Sequence, residues 1–512
     1  MQGSSRSDRE LLDAAALCGH LVPEGSVYAF LAEHRRRLFP DEMFEDLFAS
    51  GRGRPSVPAE VIATVMVLQA LEGLSDRQAV RQLETNIAWK AAAGLALSDE
   101  AFHHTVLVLW RNKLNASEDP KRIFKAVRAV MDSSKVISGR TRRALDSTVL
   151  DDAVLRQDTV DMLVTQIRRV RKLIPELVSV PVREHNLEGP GRPPCDWEDR
   201  ADVDRLISEL VDDANEVVWA GEDLLEAGVE LSESQTDALA LLALVAGQDV
   251  EPGERPGTWR IAQRTASDRV ISVVDPEARH AHKTSHNYRD GFKAHVAVEP
   301  ETGLVTDCDL GSGTAADAEA APGLIDSDPE AETVLGDSAY GAGEFRAHLD
   351  DEGKQAVISS PPLRSAVEGG FSLDDFTIDL ENRTVTCPED VTVGLNKHNQ
   401  ARFGANCDGC PMRSFCTKAR RGRVIKVHPQ HRLLAAARRQ ATTGEFQDEY
   451  RRWRPMVERS LAWLTRGVCR KVRYRGIKRN QLWWSHRCAA VNLGRLITLG
   501  LTVTPDRGWT IA

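Results

Sequence analysis

Three acidic residues are set apart by where they stand in the chain. Asp146 lies at the centre of Arg142-Arg143-Ala144-Leu145-Asp146-Ser147-Thr148-Val149-Leu150, a short β-branched run with apolar flanks that reads as a strand. An ionised carboxylate in that setting is costly unless it is paired or holds a metal. Asp337 follows Thr333-Val334-Leu335-Gly336, a buried-type strand that opens into the loop Asp337-Ser338-Ala339-Tyr340-Gly341. Ligands of open α/β sheets collect at the carboxyl ends of strands. Glu458 lies in the helical run Tyr450-Arg451-Arg452-Trp453-Arg454-Pro455-Met456-Val457-Glu458-Arg459, where Tyr450, Arg454 and Glu458 share one face by their i, i+4, i+8 spacing. A lone acid on a basic face also reads as a salt-bridge partner. Asp151 and Asp152, in the turn after Asp146, read as exposed caps or solvated acids. His295, on the same strand face as Lys293, reads as a satisfied sheet histidine, and Pro455 should kink its helix one turn before Glu458.

A second constellation is made of thiols: Cys387, then Cys407-Asp408-Gly409-Cys410, then Cys416. A Cys-x2-Cys pair with two further cysteines in a turn-rich segment can close a tetrahedral Zn²⁺ site, and a small loop gains much from such a staple. Unligated thiols and redox-active thiols are the alternatives. Cys18, Cys195, Cys308, Cys469 and Cys488 have no ligand spacing and read as buried small apolar residues.

These groups must be positioned by a chain of 512 residues, which at about 100–200 residues per domain means three to four folding units. With 42% hydrophobic and 28% charged residues it can bury a core. The longest apolar run, Ala238–Ala246, is too short to cross a bilayer, and the N-terminus lacks a signal-peptide pattern, so no membrane partner and a cytoplasmic location are expected. Nine cysteines are too few for a disulfide scaffold. The net charge of −10 conceals a split: Pro411 to Ala512 carries 23 Lys and Arg against 5 Asp and Glu, whereas His185–Arg260 carries 19 acids against 5 bases. Such asymmetry suggests one surface facing a polyanion while others repel it; an acidic solvated surface beside one basic domain is the plainer reading.

The pattern along the chain predicts an α/β fold. Gly51-Arg52-Gly53-Arg54-Pro55 reads as a hinge, and residues 57–114 as helical. Ser75 is an N-cap for a helix from Asp76, and with the helix near Phe102–Leu114 it suggests a helix-turn-helix unit or plain bundle packing. After the Asp146 strand, residues 160–260 read as acidic helices broken at Gly189-Pro190-Gly191. A β-meander (Gly291–Val298, Leu304–Leu310), a helix (Ala315–Ile325), the Asp337 strand, a helix near Gly343–Leu349 and a strand at Gln355–Ser359 follow. A long helix, Thr443–Leu464, comes after the cysteine-bearing segment.

In combination, these segments resemble the DDE transposases of bacterial insertion sequences, in the branch with an N-terminal helical domain and a four-cysteine insertion. The resemblance rests on Asp146-Ser147-Thr148, on Leu335-Gly336-Asp337-Ser338-Ala339-Tyr340, and on the Tyr450-to-Glu458 helix. Gly291-Phe292-Lys293-Ala294-His295 and Gly313-Thr314-Ala315-Ala316-Asp317-Ala318 add to it. It implies an RNase H-like mixed sheet flanked by helices, with an N-terminal all-α domain (1–135) and a catalytic domain (136–512) interrupted by an acidic helical insertion (160–262) and a small cysteine-rich insertion (363–424). It also implies catalytic and metal-binding roles for Asp146, Asp337 and Glu458, which would hold two Mg²⁺ ions (Mn²⁺ as substitute) for in-line phosphoryl displacement. Arg454 would clamp the scissile strand, with Tyr450, Lys293, Arg466, Arg473 and Arg475 as further DNA contacts. The family signature has a basic residue seven positions after the Glu; here Thr465 stands there, beside Arg466. The expected partners are double-stranded DNA (terminal inverted repeats and target) and a second copy in a homodimer. A non-catalytic DNA-binding descendant and a nuclease that cleaves without joining are the alternatives.

Overall fold

The computed structural model describes residues 1–4, 12–48, 55–183, 185, 187, 191–264, 266, 268–284, 287–361, 363–506 and 508–511. The expected hinge at Gly51–Arg54 and the break at Gly189–Pro190 lie outside the described residues.

The chain begins with helices α1 (Ala14–Cys18), α2 (Val27–Leu38), α3 (Ala59–Glu72), α4 (Asp76–Thr85), α5 (Ile87–Ala93), α6 (Thr105–Ala116) and α7 (Arg122–Ser133). Strand β1 (Arg142–Asp151) follows, then α8 (Thr159–Leu173), α9 (Arg200–Glu226) and α10 (Glu233–Gln248) with a hairpin of β2 (Val250–Pro252) and β3 (Trp259–Ile261). Next come β4 (Arg279–Thr284), β5 (Asn287–Glu299), β6 (Leu304–Ser312), α11 (Asp317–Ile325), β7 (Thr333–Gly336), α12 (Gly343–Asp351) and β8 (Gln355–Ile358). A region of short strands, β9 (Thr377–Asp379), β10 (Thr384–Thr386), β11 (Thr392–Gly394), β12 (Gln400–Arg402) and β13 (Val424–Lys426), holds the one-turn helix α13 (Arg413–Cys416). Helices α14 (His431–Ala441), α15 (Gly444–Leu464) and α16 (Ile477–Thr498) and the hairpin of β14 (Leu501–Thr504) and β15 (Gly508–Ile511) close the chain.

The central sheet is mixed, as expected. Across it the order is β6-β5-β1-β7-β8, with β1, β5 and β6 antiparallel and β7 and β8 parallel to β1; β4 pairs with the start of β5. β1 is therefore a central strand, buried on both sides, which suits its Val, Leu and Ala content. At Gly291 on β5 a Cβ would sit 1.9 Å from the Leu150 carbonyl oxygen of β1; only glycine fits there.

Alternation along β1 sends Ala144 and Leu150 into one core and Leu145 into another. The first core joins one sheet face to α15, α16 and the N-terminal helices, from Val27 to Met131. The N-terminal helical region thus shares a continuous apolar interior with the sheet. The opposite face packs on α11 and α12 through Ala321, Leu324, Phe345 and Leu349. Helices α8, α9 and α10 have their own core, built on Leu163, Ile167, Leu210, Val217 and Leu242.

Helix α16 is buried all round, so its polar side chains need partners. Asn492 accepts from Val305 N at 2.9 Å and donates to Val305 O at 2.8 Å. Arg487 donates to the carbonyls of Leu464, Trp463, Ala70 and Leu71 at 2.6–2.9 Å, tying the ends of α15 and α3 together.

The expected N-cap at Ser75 is present, with a capping box to Gln78. The helix-turn-helix reading is corrected in its second half. α5 intervenes, and α6 commits its cations within the chain: buried Arg111 pairs with Asp76, and exposed Lys113 donates to Leu47 O at 3.0 Å. α4 carries exposed cations at Arg77 and Arg81.

Candidate active site

The register of two parallel strands brings the first two acids together. Ala144 on β1 lies opposite Leu335 on β7. Two residues further on, Asp146 and Asp337 stand side by side, and parallel neighbours in register share a face. That face looks onto α15. Asp146 sits mid-strand, its Oδ1 accepting from Ser147 N at 2.8 Å. Asp337 caps the one-turn helix Ser338–Tyr340, its Oδ1 accepting from Ala339 N at 2.9 Å.

Helix α15 starts at an N-cap, Thr443, whose side chain accepts from Phe446 N, and it runs without interruption through Pro455, whose ring is exposed. The expected kink does not break the helix. Position 455 tolerates the missing N–H because it lies on the solvent side. Arg454, one position earlier, points inward and is buried.

Arg454 grips Asp146 with both terminal nitrogens, Nη1 to Oδ2 and Nη2 to Oδ1, each at 3.2 Å. The same guanidinium lies 3.9 Å from Asp337 Oδ2 and 3.9 Å from Glu458 Oε1. Three carboxylates from segments far apart in sequence therefore surround one cation. Their exposure is graded: the side chains of Asp146, Asp337 and Glu458 are 14%, 46% and 68% exposed. Burial raises the pKa of Asp146, opposed by Arg454 and reinforced by Asp337. For Arg454 burial acts to lower the pKa, but the neighbouring anions, Asp146 foremost, raise it overall.

The remaining expected contact residues fall into two groups. Arg466 and Arg475 are exposed. The others are engaged within the chain. Tyr450 stacks on Phe446 with ring centroids 5.8 Å apart. Lys293 Nζ donates to Ala315 O at 2.7 Å and lies 3.5 Å from Asp317. Arg473 donates to the Gly73 carbonyl. Thr465, at the position where the related signature is basic, is buried and donates to Leu461 O at 2.8 Å.

Two readings of the neighbouring polar residues are corrected. Asp152 is buried, not a solvated cap, because its backbone N–H pairs with Asp290 O and draws it under β5. Asp151 is ion-paired with Arg289 at 2.8 Å. His295 is buried, but its Nδ1 has no hydrogen-bond partner and lies 3.7 Å from Asp317. Asp317, on α11, was visible in sequence only as part of a helix entry. Its pairing with Lys293 and His295 depends on α11 folding back over β5.

The four cysteines line one cavity of about 30 Å³, beneath Phe376 and Phe403. All four are free thiols. Burial raises the pKa of Cys416, with the other three thiols adding to it against Arg423. Of the remaining five, Cys308, Cys469 and Cys488 are buried, and Cys18 and Cys195 are partly exposed. Among the described residues, no three His, Cys, Asp or Glu side chains stand close enough to hold a metal ion as they are, and no helix is long and apolar enough to cross a membrane.

Residues 385–497 match the family model of the transposase DDE domain, a segment that includes the four cysteines and Glu458. Residues 18–113 match that of a second transposase domain, DUF772. Comparison with curated proteins and with solved structures gave no match. The two matched segments, with a helix-flanked mixed sheet between them, make the chain similar to the DDE transposases of insertion sequences and support that family for it.

Proposed function

We propose that this protein binds the terminal inverted repeats of an insertion sequence, cuts the DNA there and joins the freed 3′-OH ends to target DNA. The observation that carries this reading is the convergence of Asp146, Asp337 and Glu458 on one guanidinium. Their donor set is oxygen only, which fits Mg²⁺ and its substitute Mn²⁺. Two such ions, when bound, supply activation of the attacking oxygen and stabilisation of the leaving one. Asp146 offers a carboxylate fixed by the sheet and by Ser147 N–H. Asp337 offers one fixed by its turn. Glu458, on the open side, would complete the set of carboxylates that hold the ions.

DNA contact is assigned to the exposed cations Arg466 and Arg475, and to Arg77 and Arg81 on α4. Tyr474 and Arg473, in the segment before α16, reach the α3–α4 turn: Tyr474 Oη donates to Asp76 at 3.3 Å, and Arg473 donates to Gly73 O. We assign end recognition to the helical region 1–135 and the chemistry to 136–512, with 160–262 and 363–424 as insertions. The four thiols suit Zn²⁺ as a structural ion. Two ends must be held at once, so the working form is a homodimer, acting on DNA in the cytoplasm at the nucleoid.

The test uses paired DNA ends carrying the repeats, with Mg²⁺ or Mn²⁺. Wild-type protein should yield 3′-OH ends and joined products. Asp337→Ala should lose both steps by about a thousandfold or more while binding DNA nearly as well. Cleavage without joining would identify a nuclease, and binding without cleavage a DNA-binding descendant. Strand joining by the Asp337→Ala protein would overturn the site assignment.

A further inference from the structure

The acid triplet already holds a cation, and that cation belongs to the chain. Arg454 is 6% exposed at its side chain and spans all three carboxylates, with its fork spent on the most buried one. Its Nε has no hydrogen-bond partner, so the guanidinium is held in place by the carboxylates, by the Tyr450 side chain and by packing. Three carboxylates within reach of one guanidinium repel one another, and the buried position of Asp146 makes a nearby counter-charge favourable. One positive charge against three negative ones leaves the cluster anionic, which still favours cation entry. A divalent ion would draw on the same Asp146 carboxylate, both of whose oxygens the fork engages, so the guanidinium and the ion share one partner and repel each other.

We infer that Arg454 is a built-in counter-cation: it holds the acid triplet together before divalent ions bind, and it competes with them for Asp146. The inference rests on the reading of Asp146, Asp337 and Glu458 as the metal-binding acids. It predicts that removing the guanidinium charge strengthens divalent-ion binding, the opposite of what loss of a merely structural arginine does.

Mn²⁺ titration of the full chain, followed by calorimetry and by the electron-paramagnetic signal of free Mn²⁺, tests it without any turnover. Arg454→Gln should bind Mn²⁺ about tenfold more tightly than wild type. It should melt at a lower temperature in EDTA, and Mn²⁺ should raise its Tm more than it raises that of wild type. Arg454→Lys keeps the charge but loses the fork, and should fall between the two. It also serves as the readout if Arg454→Gln fails to fold without metal. Unchanged or weaker Mn²⁺ binding by the folded variants would overturn the inference. Asp146→Asn separates the two layers: if it abolishes Mn²⁺ binding while Arg454→Gln fails to strengthen it, only the counter-cation idea falls. If Mn²⁺ binds equally well to Asp146→Asn, the assignment of the acids falls, and the inference with it.

Discussion

Ala144 and Leu335 face each other across parallel strands β1 and β7, and this single register places Asp146 beside Asp337. A shift of one residue would send one of the two carboxylates through the sheet to the α11 side, because side chains alternate with a period of two. The features that lock β1 in register are therefore as important to the site as the acids themselves.

Gly291 is one of these features. A Cβ at this position would lie 1.9 Å from Leu150 O and 3.0 Å from Asp152 N. Gly291→Ala should destabilise the protein by about 2 kcal/mol or more, through backbone displacement at the end of β1. Urea unfolding measures this. A stability within about 0.5 kcal/mol of wild type would show that the two strands separate easily.

Arg487 is a second. Its guanidinium serves four backbone carbonyls on α3 and α15 in a buried setting. Arg487→Ala leaves those acceptors without a donor and should cost about 3 kcal/mol or more. Limited proteolysis should then cut first where α3 leaves α15, and an unaltered digestion pattern would contradict the role.

Asp152 gives the fold a pH dependence. Burial raises its pKa to about 6, with Asp290 and Asp275 adding to the effect against the Val154 N–H and Lys471. The folded state therefore binds the proton more tightly than the unfolded chain. Its contribution to stability is largest below about pH 4 and declines as pH rises through about 6. Asp152→Asn should remove this decline, making the variant more stable than wild type by about 1–2 kcal/mol above pH 7 and equal to it near pH 4. Melting curves across that range decide the matter, and parallel profiles would exclude Asp152 as the source.

The cysteine cavity makes a prediction about metal content. Purified protein should carry about one equivalent of zinc, lost in Cys407→Ser/Cys410→Ser, with the Phe371–Val427 region becoming protease-sensitive. Elemental analysis measures it directly. Equal zinc in both proteins would place the metal elsewhere.

Much of the secondary structure was legible in the chain because it depends on local patterns. The β-branched run at 142–150, the Ser75 N-cap, the strand before Asp337 and the helix ending at Leu464 all fall within a few residues of where local patterns put them. Strand β4, the burial of α16 and the terminal β14–β15 hairpin had no such signal, since each depends on a partner distant in sequence.

The acids themselves stood out in sequence by residue type and by their place at strand centre, strand end and helix face. What surrounds them did not. Helical spacing put Arg454 and Glu458 on one side of α15 but could not say that this side meets Asp146, 308 residues earlier. It could not show Asp152 passing under β5, or α6 spending Arg111 on Asp76. Local propensity is set by each residue and its near neighbours, whereas ion pairing and desolvation depend on which segments the sheet register and the buried core press together.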